Sequence, residues 1–402
     1  MEYAFLTMLI PKQVQSEVER LSVKNMQDAA NTLQWNIYNG LCNNLGLNVK
    51  LFNVLPIGSF PQYYKKIFVH RFVFSTDYGE GNINIGFCNV KFLKNFFQVS
   101  KIFSDLKKWC ASSDDEKVLF VYTLSAPFLS AVMKLKKKYP KIKVCSIVAD
   151  LPDMLNLSSH RSFIQKKFEQ WLANRAYKNM TCIDYYVLLT KYMAEPLGIK
   201  KPYIVMEGIA EDKLVVERRG EKIQDLKTIL YTGTLHEKFG ALDLVQAFMR
   251  IPDKDYRLIL CGIGDSEEKI IKAQKMDARI QFRGKVTHEE ACKLQSEATV
   301  LVNPRKNNEA FTKYSFPSKT MEYLSSGTPV IAYKLDGIPE EYNGYINYVS
   351  DNSPEAMADK IRQICEMPES VRQEMGARAR QFVLSQKNCI EQTKKILDLL
   401  KE

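Results

Sequence analysis

The sequence predicts an α/β protein built of two doubly wound domains with parallel sheets, and three observations carry that prediction. Apolar, strand-like runs alternate with helix-length amphipathic stretches along the chain. The 402 residues suit two domains of about 200 each, and 46% hydrophobic content is ordinary for domains with sizeable cores. A passage over 191–225, punctuated by Pro196, Pro202 and Gly208, separates the halves and sets the expected boundary near residue 200.

Taken in order, residues 3–10, 48–55, 118–123, 144–149 and 184–190 are the expected strands of the first half. A long helix is expected from Val23 to Leu45, with Gly40 a weak point inside it. The second half repeats strand and helix units: strand 228–231, helix 242–249, strand 256–261, helix 267–275, strand 280–283, helix 289–298 and strand 299–303. A charged amphipathic helix is expected over 385–401, with Ile390, Ile396, Leu397 and Leu400 apolar.

The segment Phe316-Pro-Ser-Lys-Thr-Met-Glu-Tyr-Leu-Ser-Ser-Gly-Thr-Pro-Val-Ile331 carries the chemistry. Pro317 and Ser318 suit a helix start, and Gly327 suits the C′ position that closes the helix. Lys319 and Glu322 then share one face. Free N–H groups and the positive dipole end at such a start favour a diphosphate, and Lys319 adds a point charge suited to phosphate. Glu322, one turn deeper, can accept both hydroxyl protons of a ribose. The run Thr328–Ala332 reads as a buried parallel strand, so this pattern describes a nucleotide-sugar site at a strand-to-helix edge.

That segment resembles the signature of family 4 glycosyltransferases, retaining enzymes of the GT-B architecture. The resemblance extends in order over residues 180 to 385: Met206-Glu-Gly-Ile209 at the domain junction, Tyr231-Thr-Gly-Thr-Leu235, Cys261-Gly-Ile-Gly-Asp265, Phe282-Arg-Gly-Lys-Val286 and Leu301-Val-Asn-Pro-Arg305. It implies two Rossmann-like domains facing a cleft, with the last helix (385–402) crossing back to the first domain. Residues 1–200 would bind the acceptor and 201–384 the donor. Gly233, Thr234, Lys238, Gly262, Gly264, Arg283, Val286, Arg305, Tyr314, Phe316, Pro317 and Ser318 become candidate substrate contacts, and Asp150, Lys319 and Glu322 the candidate catalytic residues. The Pro-Ser-Lys form is similar to a subgroup of bacterial surface-polysaccharide enzymes.

The chain departs from the family pattern at definite places. Tyr314 stands where the first of two glutamates is usual, and Thr234 and Phe239 occupy positions that usually carry Arg and Lys, with Lys238 one residue early. Lys319 and Arg305 are the candidates to replace that charge. The loop Pro11-Lys-Gln-Val-Gln-Ser16 lacks the family's glycines. Asp150 ends a strand and is followed by Asp153, so it can cap a turn or face the acceptor or the reacting sugar. Asp253-Lys-Asp255 reads as turn chemistry, and no metal site or cofactor is expected. His236 and His288 read as surface loop residues, with His236 placed to test because it follows the phosphate-side loop.

The resemblance implies transfer of a sugar from a nucleotide sugar, UDP-linked, to a glycan or lipid-linked oligosaccharide. A nucleotide-sugar epimerase or hydrolase of the same fold, or a non-catalytic binding subunit, stands as the alternative. The formal charge of +11 is drawn partly from Lys134, Lys136, Lys137, Lys138, Lys141 and Lys143, and partly from 161–177, where Ile164, Phe168, Trp171 and Leu172 share a helical face edged by Lys166, Lys167 and Arg175. That helix is expected either to pack on the sheet beside a solvated charge run or to meet an anionic membrane surface. No nucleic-acid motif appears. Nine cysteines without a Cys-x-x-Cys pair fit a reducing cytoplasm. The first apolar run is too short for a signal peptide, and no run reaches the ~20 residues of a membrane helix.

Overall fold

The computed structural model describes residues 1–23, 28–154, 162–211, 226–308 and 310–401. Contacts divide the chain into two units, Met1–Ile209 with Cys389–Glu402, and Ala210–Asn388. The first division falls after residue 200 because strand Tyr203–Val205 still pairs within the first sheet.

The first unit holds β1 (Glu2–Thr7), β2 (Lys50–Asn53), β3 (Phe68–Val69), β4 (Phe72–Thr76), β5 (Gly79–Asn84), β6 (Phe87–Cys88), β7 (Lys117–Tyr122), β8 (Lys143–Val148), β9 (Tyr185–Leu188) and β10 (Tyr203–Val205). Eight of these form one sheet in the order β10-β9-β8-β7-β1-β2-β5-β4, parallel except for the β5–β4 edge pair. The near-continuous apolar runs of β1, β7 and β8 are buried on both faces, as a covered parallel sheet requires. The β4–β5 hairpin escaped the sequence pattern because Gly79, Gly81, Asn82 and Asn84 are poor strand formers. Asn82 and Asn84 are nevertheless buried, where Asn82 accepts from the Leu51 N–H and Asn84 accepts from Asn53.

The expected helix from Val23 is described from Asp28 to Leu45, Val23 itself is not helical, and a separate short helix, Gln15–Leu21, comes before it. Residues 24–27 lie outside the described ones. Gly40 is not a weak point but a contact: a Cβ there would stand 2.2 Å from the Cys389 carbonyl oxygen. Cys389–Leu399 is the C-terminal helix, and Asn44 donates to Ile390 O (2.8 Å) and Thr393 Oγ1 (2.9 Å). Its buried face holds Gln392, Thr393, Ile396 and Leu399, while Ile390 points to solvent. Residues 385 and 386 belong to the preceding helix, Glu369–Gln386. The loop after β1, which lacks glycine, is pinned by carboxamides: Gln34 both accepts from Met8 N (2.7 Å) and donates to Met8 O (3.0 Å), and Asn31 accepts from Ile10 N.

The second unit holds β11 (Lys227–Thr232), β12 (Tyr256–Cys261), β13 (Ile280–Gly284), β14 (Val300–Asn303), β15 (Val330–Ala332) and β16 (Ile346–Tyr348), all parallel in the order β13-β12-β11-β14-β15-β16. From β11 the chain winds outward through β12 and β13, then returns to place β14 on the other side. The switch point therefore lies beyond the carboxyl ends of β11 and β14. Two apolar clusters, one around Leu244, Phe248 and Ile361 and one around Leu301, Tyr323 and Tyr342, cover the two faces of the sheet.

Candidate functional site

At the switch point the ends of β11, β12 and β14 are brought together by missing side chains. A Cβ on Gly262, which sits at φ 139°, would lie 1.7 Å from Gly233 O, and one on Gly264 would lie 2.2 Å from Leu235 C. A Cβ on Gly240, at φ 81°, would likewise lie 2.1 Å from Pro304 O. Only glycine allows these backbones to touch, so Gly233-Thr234, Gly262–Gly264 and Pro304-Arg305 form one edge. Tyr231 Oη donates to Thr234 O (2.9 Å) and shapes the first loop from beneath.

The signature helix spans Ser318–Ser325, with Pro317 at the N-cap position and Gly327 in the left-handed region (φ 76°) just past its end. Pro317 stands one position earlier than the sequence reading placed it. It supplies no capping side chain; the Thr320 N–H donates to the Pro317 carbonyl (2.9 Å), which leaves the Ser318 and Lys319 N–H groups at the helix start without an intrahelical acceptor. Lys319 and Glu322 meet as expected on one face, Nζ to Oε2, at 2.8 Å.

Sequence reasoning missed what fixes that pair. Gln295, 1% exposed on helix His288–Glu297, donates from Nε2 to Glu322 Oε1 (2.6 Å) and to Thr232 Oγ1 (2.8 Å), while its carbonyl accepts from Thr328 Oγ1 (2.7 Å). Tyr323, wholly buried, accepts from Thr232 N (2.8 Å) and donates to Thr232 O (3.1 Å). The helix is thereby clamped to the end of β11. A glutamine on a helix carries no motif signal, so nothing in the sequence singled it out. Burial disfavours the charge of Glu322, yet Lys319, the Gln295 amide and His288 hold its carboxyl below the usual range.

The remaining candidates divide by setting. Arg305 reaches Ser315 Oγ with Nη2 (2.9 Å), and its guanidinium lies 5.7 Å from the centre of the Phe239 ring, with burial lowering its pKa. Lys238 and Thr234 are exposed beside it. Arg283 is exposed on β13; burial pushes the Cys261 thiol up to about 11 against the pull of Arg283 and Lys319, which places both cations near the end of β12. Ser318 is exposed at the helix start, and Tyr314 is half-buried under Lys313. Phe316 and Pro317 are buried, with Phe316 packed 5.5 Å from Tyr342, and Val286 packs on the same core. Their side chains support the site from behind.

Asp150 belongs to the first unit, exposed just past the end of β8, where the surrounding protein desolvates its carboxyl and pushes it up to about 6. Asp253 and Asp255 serve as expected for a turn: Arg279 Nη1 donates to Asp253 O (2.7 Å), and Lys227 pairs with Asp255 (3.0 Å). His236 Nδ1 lies 3.1 Å from Asp265 Oδ2.

These parts define a class by fold: two doubly wound domains of the GT-B type. The sucrose-phosphate synthase of Thermosynechococcus elongatus superposes with a TM-score of 0.66, covering 100% of this chain and 98% of that one at 15% identity. Residues 226–367 match the family model described as "Glycosyl transferases group 1". Two curated relatives align over part of the chain. The N-acetyl-alpha-D-glucosaminyl L-malate synthase of Bacillus anthracis is 26% identical over 170 residues, 40% of this chain and 41% of that protein. The D-inositol 3-phosphate glycosyltransferase of Corynebacterium glutamicum is 29% identical over 159 residues, 36% of each. The chain thus spans less than half the length of these curated relatives.

Proposed function

We propose that the protein is a retaining glycosyltransferase that moves a sugar from a nucleoside-diphosphate sugar, UDP-linked, to a hydroxyl of a glycan or lipid-linked oligosaccharide in surface-polysaccharide assembly. The observation that carries this reading is the uncapped start of helix Ser318–Ser325 with Lys319 and Glu322 held together above Gln295. An arriving diphosphate draws Lys319 toward itself and releases Glu322 Oε2 for a ribose hydroxyl, while Gln295 keeps the carboxylate aimed. Breaking the anomeric bond leaves negative charge on the diphosphate. The helix N–H groups, Lys319 and Arg305 are preorganised to stabilise that charge as it grows, without help from a metal ion.

In this reading the second domain binds the donor and the first the acceptor. Asp150, whose carboxyl is pushed up to about 6 by desolvation, faces the acceptor or the reacting sugar. The free cysteines suit a reducing cytoplasm. No helix among the described residues is long and apolar enough to cross a membrane, and a lipid-linked acceptor would be met at the inner membrane face.

The test is a thermal-shift titration against UDP, GDP, CDP and their sugar conjugates, with Glu322→Ala alongside, followed by a donor-turnover assay. A base-selective, saturable rise that the variant loses, together with transfer to an added acceptor, is the expected result. Binding without turnover would favour the non-catalytic subunit, which the uncharged Thr234, Phe239 and Tyr314 motivate. Turnover without an acceptor would favour the epimerase or hydrolase.

A further inference from the structure

Aromatic and aliphatic side chains lie open to solvent across two neighbouring helices of the first unit. Helix Leu93–Cys110 presents Leu93, Phe96 and Phe97 at 51, 57 and 43% exposure, and helix Phe163–Asn179 presents Phe163, Ile164 and Trp171 at 70, 69 and 42%. Of the two expectations for this helix, packing of Ile164 and Trp171 on the sheet is not what the structure has: the side chains it buries are Ala173 and Ala176. Arg161, ahead of this helix, lies outside the described residues. The rings form one continuous cluster, with Phe92 4.8 Å from Phe168, Phe168 5.6 Å from Trp171, and Trp171 6.2 Å from Phe96. Phe92 adopts φ 67°, a conformation a bulky residue takes only when its surroundings hold it there. Single exposed apolar residues are ordinary on any protein, whereas a contiguous ridge of this kind marks an interaction surface.

Cations stand over three of these rings. Lys167 stands 4.5 Å over the Phe163 ring, Lys91 5.6 Å over Phe92, and Arg175 5.4 Å over Trp171. Helix Ala126–Lys138 packs between the two helices and carries Lys134, Lys137 and Lys138 with no carboxylate. Asp105 and Glu169 are the only acids on the three helices, and Asp105 lies 3.6 Å from Arg71. A groove of about 110 Å³ between the helices has apolar walls from Phe96, Val99, Pro127 and Leu172 and cations from Lys134 and Arg175. Lys136, by contrast, is turned away into an ion pair with Asp184.

We propose that this face docks the protein on an anionic lipid bilayer. Phe96, Phe97, Phe163 and Ile164 enter the boundary between headgroups and acyl chains, and Lys91, Lys134, Lys167 and Arg175 meet lipid phosphates. The combination of an apolar ridge with a lysine-rich rim matches the layered chemistry of a bilayer surface. Protein interfaces are instead depleted of lysine. The assignment sharpens the membrane setting of the proposed function but uses none of its nucleotide-site residues.

The test is co-sedimentation of the full-length protein with vesicles of phosphatidylcholine alone and of phosphatidylcholine with an equal part of phosphatidylglycerol. Wild type is expected to partition onto the anionic vesicles, with a blue shift of tryptophan fluorescence that Trp171→Phe abolishes. The exposed double variant Phe163→Ser/Ile164→Ser should keep its melting temperature and its thermal-shift response to UDP while its partition falls about tenfold or more. Lys134→Glu/Lys167→Glu should remove the preference for anionic vesicles. Absence of partition, or partition that the double serine variant leaves unchanged, overturns the proposal. So does a self-associated wild type that the same serine substitutions dissociate, since the face would then be a contact between proteins. A lost nucleotide response with intact vesicle binding would count against the donor site alone.

Discussion

Glu322 shows how one half-buried carboxylate is held beside a cation, with Lys319 on one oxygen and Gln295 donating to the other. Glu322→Ala is expected to weaken nucleotide binding by roughly 1.5–3 kcal/mol, the range for a hydrogen bond to a charged group, measured by calorimetric titration. Equal affinity in the variant would remove the anchor of the functional reading. Gln295→Ala leaves Thr232 Oγ1 and Glu322 Oε1 each short of a donor. It should lower stability by about 1–3 kcal/mol in a denaturant titration and weaken the nucleotide as well. At Asp150 the proposed acceptor-side role and a stability effect can be measured in one variant. Its folded pKa of about 6 lies above the ordinary 3.8, so its contribution to stability is present below pH 3.8 and lost as pH rises through 6. Asp150→Asn should therefore raise the melting temperature at pH 8 and leave it unchanged near pH 3.5. Transfer activity should fall in the same variant, and in wild type it should decline below pH 6 as the carboxylate protonates.

Two elements depend on glycine for backbone contact and not for flexibility. Gly262→Ala places a Cβ against Gly233 O in a backbone conformation side chains rarely adopt. A loss of about 1–3 kcal/mol of stability is expected together with weaker nucleotide binding, because the loops after β11 and β12 must part. Gly40→Ala meets the Cys389 carbonyl and should destabilise the protein while leaving nucleotide affinity unchanged, since helix Asp28–Leu45 and helix Cys389–Leu399 both belong to the first unit. Comparing the two variants by thermal shift with and without UDP separates the site from the scaffold. The helix bounds between residues 241 and 325 were readable because those helices have a period and a stop, as with Gly327 after Ser325. The first half was less readable, since Asn53, Asn84 and Gln34 do by side-chain hydrogen bonding what a propensity pattern would otherwise announce.

Across the whole chain, the C-terminal segment returns to the unit that the N-terminus begins. Removing residues 389–402 should uncover the face of helix Asp28–Leu45 around Gly40 and Asn44, lowering the melting temperature and the soluble yield. The sequence by itself determined the fold class, the run of strands and helices from residue 228 to 332, and the pairing of Lys319 with Glu322, because these follow from local periodicity and from spacing along one helix; strand Ile346–Tyr348 and helices Pro354–Cys365 and Glu369–Gln386 were not read. It also located the glycine turns at the strand ends. Only the tertiary structure decided that Gln295 and Tyr323 clamp the signature helix to β11, that Phe316 and Val286 are core, that Lys136 is tied to Asp184, and that Phe163, Ile164 and Trp171 face solvent. Each of these depends on which residues meet across distant segments, and hydrophobic patterning along one helix does not say whether its apolar face will find a sheet or be left exposed.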